Sequence, residues 1–152
     1  MDLMKLLQDS TDEILRGAET AMERTHLKGY EKTGGEQTHQ RLKALYVLTV
    51  RGVKERNVGP MIAHAETIAR ERFASGFDLS EVQTAFNVLE EAIWRRILKG
   101  LPAVDYGEAL GLVSTVLGAG KDALARTYVS LASKAKAPSL QLQHLFAGTE
   151  GA

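Results

Sequence analysis

Apolar residues recur along this chain at three- and four-residue spacing, while the strict alternation that marks a half-buried strand is almost missing. From Glu36 to Arg56, Leu42, Leu45, Tyr46, Thr49 and Val53 fall on one helical face. Met61, Ala65, Ile68, Ala69 and Phe73 repeat the pattern, and Val82, Ala85, Phe86, Leu89, Ile93 and Ile97 do so again. Each such stripe must be covered by another element, so a bundle or globin-like packing of helices is the cheapest architecture.

Punctuation between the stripes sets the element boundaries. Ser10-Thr11-Asp12-Glu13 reads as a capping box opening a helix that runs to about Lys28. Gly29, Gly34 and Gly35 mark residues 29 to 35 as a loop. Pro60 suits a first helical turn, where its missing N–H costs nothing, and Gly76 is a natural stop. Asp78 to Glu81 opens the next helix, with Ser80 to Gln83 as a possible capping box, and Gly100 and Pro102 end it. Asp105-Tyr106-Gly107-Glu108 is a third box, starting a long helix to about Lys134. The expectation is a single all-α, globin-like bundle of about five principal helices over residues 1–134, with residues 135–152 a flexible or partner-dependent tail.

The last helix carries two patterns. Projection at about 100° per residue puts Ala109, Leu112, Val113, Val116, Ala123, Leu124 and Leu131 on a core face. Gly107, Gly111, Ser114, Gly118, Ala125, Val129 and Ala132 lie opposite at heptad-like spacing. Each Gly inside a helix costs roughly 1 kcal/mol relative to Ala, so three on one stripe point to a compensating close approach by a second helix. A homodimer through the last helix is the favoured partner, since two-fold dimers are the commonest oligomers; a helix broken near Gly118-Ala119-Gly120 is the other reading.

Composition excludes several function classes. Nineteen Lys plus Arg balance nineteen Asp plus Glu, and the basic residues form no stripe, which argues against nucleic acid as a partner. The absence of cysteine removes disulfides, thiolate catalysis and cysteine-based metal sites. The start, Met1 to Leu7, is too short an apolar run for a signal peptide, and no window approaches a membrane span of roughly 18 residues, so a cytoplasmic, bacterial or archaeal protein is expected.

Chemistry-bearing constellations are sparse. His26, His39, His64 and His144 form no metal-spaced pair, and no metal, cofactor or catalytic residue is expected. His26-Leu27-Lys28-Gly29 lacks the intervening residue that a histidine phosphotransfer motif has after its His, which throws the two side chains about 200° apart. Glu66, Glu71, Glu90 and Glu91 among Arg70, Arg72, Arg95 and Arg96 read as solvated, salt-bridged faces. Phe73, Phe86 and Tyr46 read as core. Trp94 sits about 120° from the centre of its helix's apolar face with Leu98 one turn on, a flank that either broadens the core or anchors a partner. His64, at the border of its apolar face, is a candidate partner or pocket residue.

The stretch from Glu66 to Ile97 contains Arg72 and Gly76 at a turn, an aromatic residue, Leu79, Glu81, and Ala85 ahead of Leu89 and Trp94. It resembles the RsbRD N-terminal domain, the sensor domain of RsbR-type stress-response co-antagonists, which also precedes some histidine kinases and PucR-like regulators. The likeness is clearest over about 30 residues and extends over residues 5–132. It implies an all-α, globin-like regulatory module that dimerises, senses a signal and passes it to a regulatory protein partner, with no active site to carry over. The 18 residues after Lys134 leave no room for an output domain, so a freestanding module acting by protein–protein interaction is expected. The alternative is a small-ligand or haem-binding globin-like protein.

Overall fold

A computed structural model describes the backbone of residues 1–151 and the side chains of residues 1–135 apart from Thr33. Among the described residues the fold is helical throughout, with seven α-helices and no sheet: α1 (Leu3–Asp9), α2 (Thr11–Thr25), α3 (Lys28–Thr33), α4 (Gly35–Glu55), α5 (Gly59–Ala74), α6 (Leu79–Gly100) and α7 (Tyr106–Gly151), the last preceded by a 3₁₀ turn at Ala103–Asp105. The five longer helices are those the periodicity marks. The largest helix–helix interfaces are α5 with α7, α2 with α6, and α6 with α7, so α6 and α7 form the spine on which the others lie.

Two short helices depart from expectation. Leu6 and Leu7 are fully buried and draw residues 3–9 into α1. Ser10 then separates α1 from α2 without capping α2; its Oγ accepts from Arg96 Nε at 2.9 Å, and Glu13 pairs with Arg96 at 2.9 Å instead of reaching back. An attractive long-range guanidinium thus outcompetes the local box. Residues 28–33 are helix α3 and not loop, because Tyr30 is pulled inward to meet Phe77 edge-on at 5.4 Å. Gly29 permits that approach: a Cβ there would lie 2.7 Å from the Phe77 ring. Its amide also donates to Glu81 Oε1 at 3.2 Å. α2 ends at Thr25, with His26 left-handed at φ 51° as its cap.

The other boundaries follow local chemistry closely. Pro60 lies in the first turn of α5. Past Ala74 the chain forms a Schellman motif: Gly76, at φ +82°, donates to Phe73 O, and Phe77 donates to Arg72 O at 2.9 Å. α6 opens with a capping box of Asp78 and Glu81, two residues ahead of the expected Ser80 to Gln83 pair.

α7 is unbroken through Gly118-Ala119-Gly120, and its backbone helix continues to Gly151, past Lys134. The tail assigned from sequence to residues 135–152 has side chains that, beyond Ala135, lie outside the described residues. On the core face Ala109, Val113, Val116, Ala123 and Leu124 are buried as projected, joined by Leu117 and Tyr128, while Leu112 and Leu131 are half-buried. Gly120 is the glycine that internal packing demands, since a Cβ there would meet Phe86 at 2.8 Å and Met61 at 2.9 Å.

Candidate functional site

Two surfaces are built around α6. The first is its edge against α7. Tyr106 donates to Leu98 O at 2.8 Å, Ser114 donates to Glu90 Oε2 at 3.0 Å, and Lys121 donates to Glu90 Oε1 at 3.0 Å and to Asn87 Oδ1 at 3.3 Å. These bonds run α6 and α7 antiparallel and set their register, so that Trp94 and Leu98 stand at the level of the Gly107 to Ser114 stretch of α7. Trp94 is 40% exposed and Leu98 50%, so both lie on the surface and not in the core.

The small-residue stripe of α7 is exposed or half-buried along its length. Gly107 and Gly111 are exposed, Ser114, Gly118 and Ala125 half-buried, and Val129 is 61% exposed. A Cβ added at Gly107, Gly111 or Gly118 would meet no atom within 4 Å. Ser114 and the neighbouring Lys121 turn toward α6, so the stripe is bounded on that side by the buried Glu90 carboxylate.

The second surface is a cleft of about 350 Å³ between α3, α4, α5 and α6. Its polar wall comes from Tyr30, Gln37, Gln40, Arg41, His64, Glu71 and Arg72, and its apolar wall includes Leu42, Leu45, Ile68, Val82 and Phe86. Arg72 is buried, unlike the solvated role its neighbours suggest. The Schellman turn folds Phe77 back beside it, with the guanidinium 5.9 Å from the ring centre, while Arg41 lies 5.4 Å from the same ring and 5.9 Å from Tyr30. Arg72 Nη1 donates to Glu71 at 3.3 Å and its guanidinium also bonds Tyr30, but its buried Nε has no partner.

The electrostatics reflect crowding of positive charge. Burial raises the Tyr30 phenol above its usual value, partly offset by Arg72 and Arg41. Burial and then the Arg72 charge lower Arg41. His64 is lowered from 6.5 by burial first and Arg72 second, so its neutral form is favoured.

Of the three residues singled out as partner or pocket groups, His64 enters the cleft, and Trp94 and Leu98 are exposed on α6. Arg41, Arg72, Tyr30 and Phe77 were not anticipated as a group. The Arg72 to Gly76 spacing was visible, but only the returned turn brings Phe77 onto Arg72. Glu90 likewise is buried and bonded, not solvated; Arg95 with Glu91 at 2.6 Å is the surface pair expected.

His26 bonds Glu31 at 2.9 Å and His39 bonds Glu19 at 2.7 Å, both away from the cleft, and the His144 side chain lies outside the described residues. No group of three or more His, Cys, Asp or Glu among the described residues is placed to hold a metal. The cleft lies at the small end of ligand cavities, and its wall with two guanidiniums does not match the roomy apolar pocket that a haem needs.

The sequence model of the RsbT co-antagonist protein rsbRD N-terminal domain matches residues 6–135. No curated protein and no solved structure matches the chain.

Proposed function

The chain belongs to the RsbRD N-terminal domain family, a family of non-catalytic regulatory modules, and from that premise we propose that it works as a homodimer that passes a signal to a protein partner in the bacterial cytoplasm. The reading that it dimerises rests on one observation: the chain's own packing leaves open space around a row of α7 glycines, and Trp94 and Leu98 of α6 stand exposed as well. Gly111 and Gly118, both in the interior of α7, cost roughly 2 kcal/mol together relative to alanine, which close approach of a second α7 would offset. The two-fold arrangement would set Gly107, Gly111, Ser114, Gly118, Ala125 and Val129 against their copies, with the flanking Trp94 as anchor. α6 and α7 of two protomers would then form a four-helix layer, and the core of each protomer would remain as in the single chain. No helix among the described residues is long and apolar enough to cross a membrane, which accords with a cytoplasmic site of action.

Sedimentation velocity across micromolar concentrations tests this. The expected result is a dimer whose dissociation constant rises at least tenfold in Gly111→Leu or Gly118→Leu, with far-ultraviolet circular dichroism unchanged. Trp94 is the chain's one tryptophan, so its emission should shift to the blue as the dimer forms. A chain that stays monomeric, or leucine variants that stay dimeric, would overturn the assignment.

A further inference from the structure

We infer that the cleft between α3, α4, α5 and α6 is a binding site for a small organic anion, a molecule with one carboxylate or phosphate head on Arg72 and Arg41 and an apolar body against Ile68, Val82 and Phe86. Binding of this anion is independent of whether the chain dimerises, and the family assignment does not enter it.

Three observations converge. The first is the arrangement of charge. Two guanidiniums gather around a single aromatic pair, each within 6 Å of the Phe77 ring centre. Like charges brought together in a partly dry site repel each other, and Arg41 is lowered by its own burial first and by the Arg72 charge second. The carboxylate paired with Arg72 is Glu71, the adjacent residue, at 3.3 Å with a side chain 61% exposed. An exposed neighbour of that kind screens weakly. A ligand oxyanion between the arginines would relieve the repulsion directly.

The second is the unpartnered donor. The Arg72 side chain is nine-tenths buried and lines the cleft, yet its Nε has no acceptor. Buried polar groups in native proteins are almost always satisfied, so this sealed donor is a cost that a ligand oxyanion drawing the guanidinium toward the cleft would relieve. Guanidinium groups take carboxylate and phosphate through two parallel N–H donors, and Nε is one of the donors that such a fork uses.

The third is shape. The cleft's volume of about 350 Å³ is that of a small-molecule site, with the two guanidiniums and the exposed Glu71 carboxylate on its polar wall and aliphatic and aromatic side chains on the other. Gln37, Gln40 and His64 at its margin can hydrogen-bond the head group's remaining oxygens or a polar substituent.

The test titrates the ¹⁵N-labelled chain with inorganic phosphate, phenyl phosphate, benzoate and uncharged benzyl alcohol, following backbone and side-chain resonances. Phenyl phosphate or benzoate should saturate shifts at Tyr30, Arg41, His64, Arg72 and Phe86, with an affinity at least tenfold above that of inorganic phosphate; the tighter of the two names the head group. Arg41→Gln and Arg72→Met should each weaken that binding about tenfold or more, the loss expected for one charge-assisted pair. Arg41 is only partly buried, so its variant remains informative if Arg72→Met folds poorly. The inference is overturned if neither anion shifts these resonances at millimolar concentration, if benzyl alcohol binds as tightly as benzoate, or if Arg41→Gln binds as well as the parent chain.

Discussion

Arg72 and Glu90 are the two buried charged residues among those described, and they are held in opposite ways. Each Glu90 oxygen has a donor, Ser114 on one and Lys121 on the other, and both donors come from α7. Arg72 shares its guanidinium between an exposed neighbouring carboxylate and Tyr30, stands over an aromatic ring, and leaves one donor unfilled at the wall of a cleft. A buried charge with a donor on each oxygen joins two helices. A buried charge left incomplete beside empty volume is suited to a partner from outside the chain.

Replacing each residue by an apolar one of similar length separates the two roles. Glu90→Leu leaves Ser114 without its acceptor and Lys121 without its counter-charge at the α6–α7 edge and should cost about 2–3 kcal/mol, reduced from a fully buried pair because Lys121 reaches solvent and keeps Asn87 as acceptor. Urea denaturation would measure it. The double variant Glu90→Leu, Lys121→Met should recover at least half of that loss, since no unpaired charge remains. Arg72→Met should stay within about 1 kcal/mol of the parent. The lost ring contact and hydrogen bonds are offset by removal of the unfilled Nε. If Arg72→Met costs as much as Glu90→Leu, the contrast fails and Arg72 is a structural residue.

The smallest expected effect is on pH dependence. The neutral form of His64 is favoured by burial and by Arg72, against a weaker opposing pull from Glu71; Arg41 and Tyr30 face the same cleft from α4 and α3, and α6 adds only apolar side chains to it. Its folded value lies below 6.5, so below that pH the unfolded chain takes up the proton first, and stability falls as pH drops through the folded value. Denaturation midpoints of His64→Gln should decline less between pH 7 and 5 than those of the parent. Equal slopes would mean that His64 is not desolvated by the cleft.

Much of the fold was legible because the signals are local. The stripes of α4, α5 and α6, Pro60 in its first turn and the Gly76 stop each depend on residues within a turn or two. α3 was not, since Gly29, Gly34 and Gly35 read as a loop until Phe77, nearly fifty positions away, draws Tyr30 inward. The capping box at Ser10 failed for a related reason, its hydroxyl being taken by Arg96 from α6.

The site was legible only in fragments. The spacing of Gly107, Gly111 and Gly118 was visible, and so was the outlying position of Trp94, but the level at which they stand along the two helices depends on the α6–α7 register set by Glu90 with Ser114 and Lys121. The sequence by itself determined that the chain is helical and where most helices start and stop, because helical periodicity and capping act within one or two turns. Only the tertiary structure decided which charges are dry: Arg70 and Arg72 look alike in sequence, yet Arg70 is exposed while Arg72 packs beside Phe77 and Tyr30 at the wall of the cleft, because desolvation is imposed by neighbours distant in the chain.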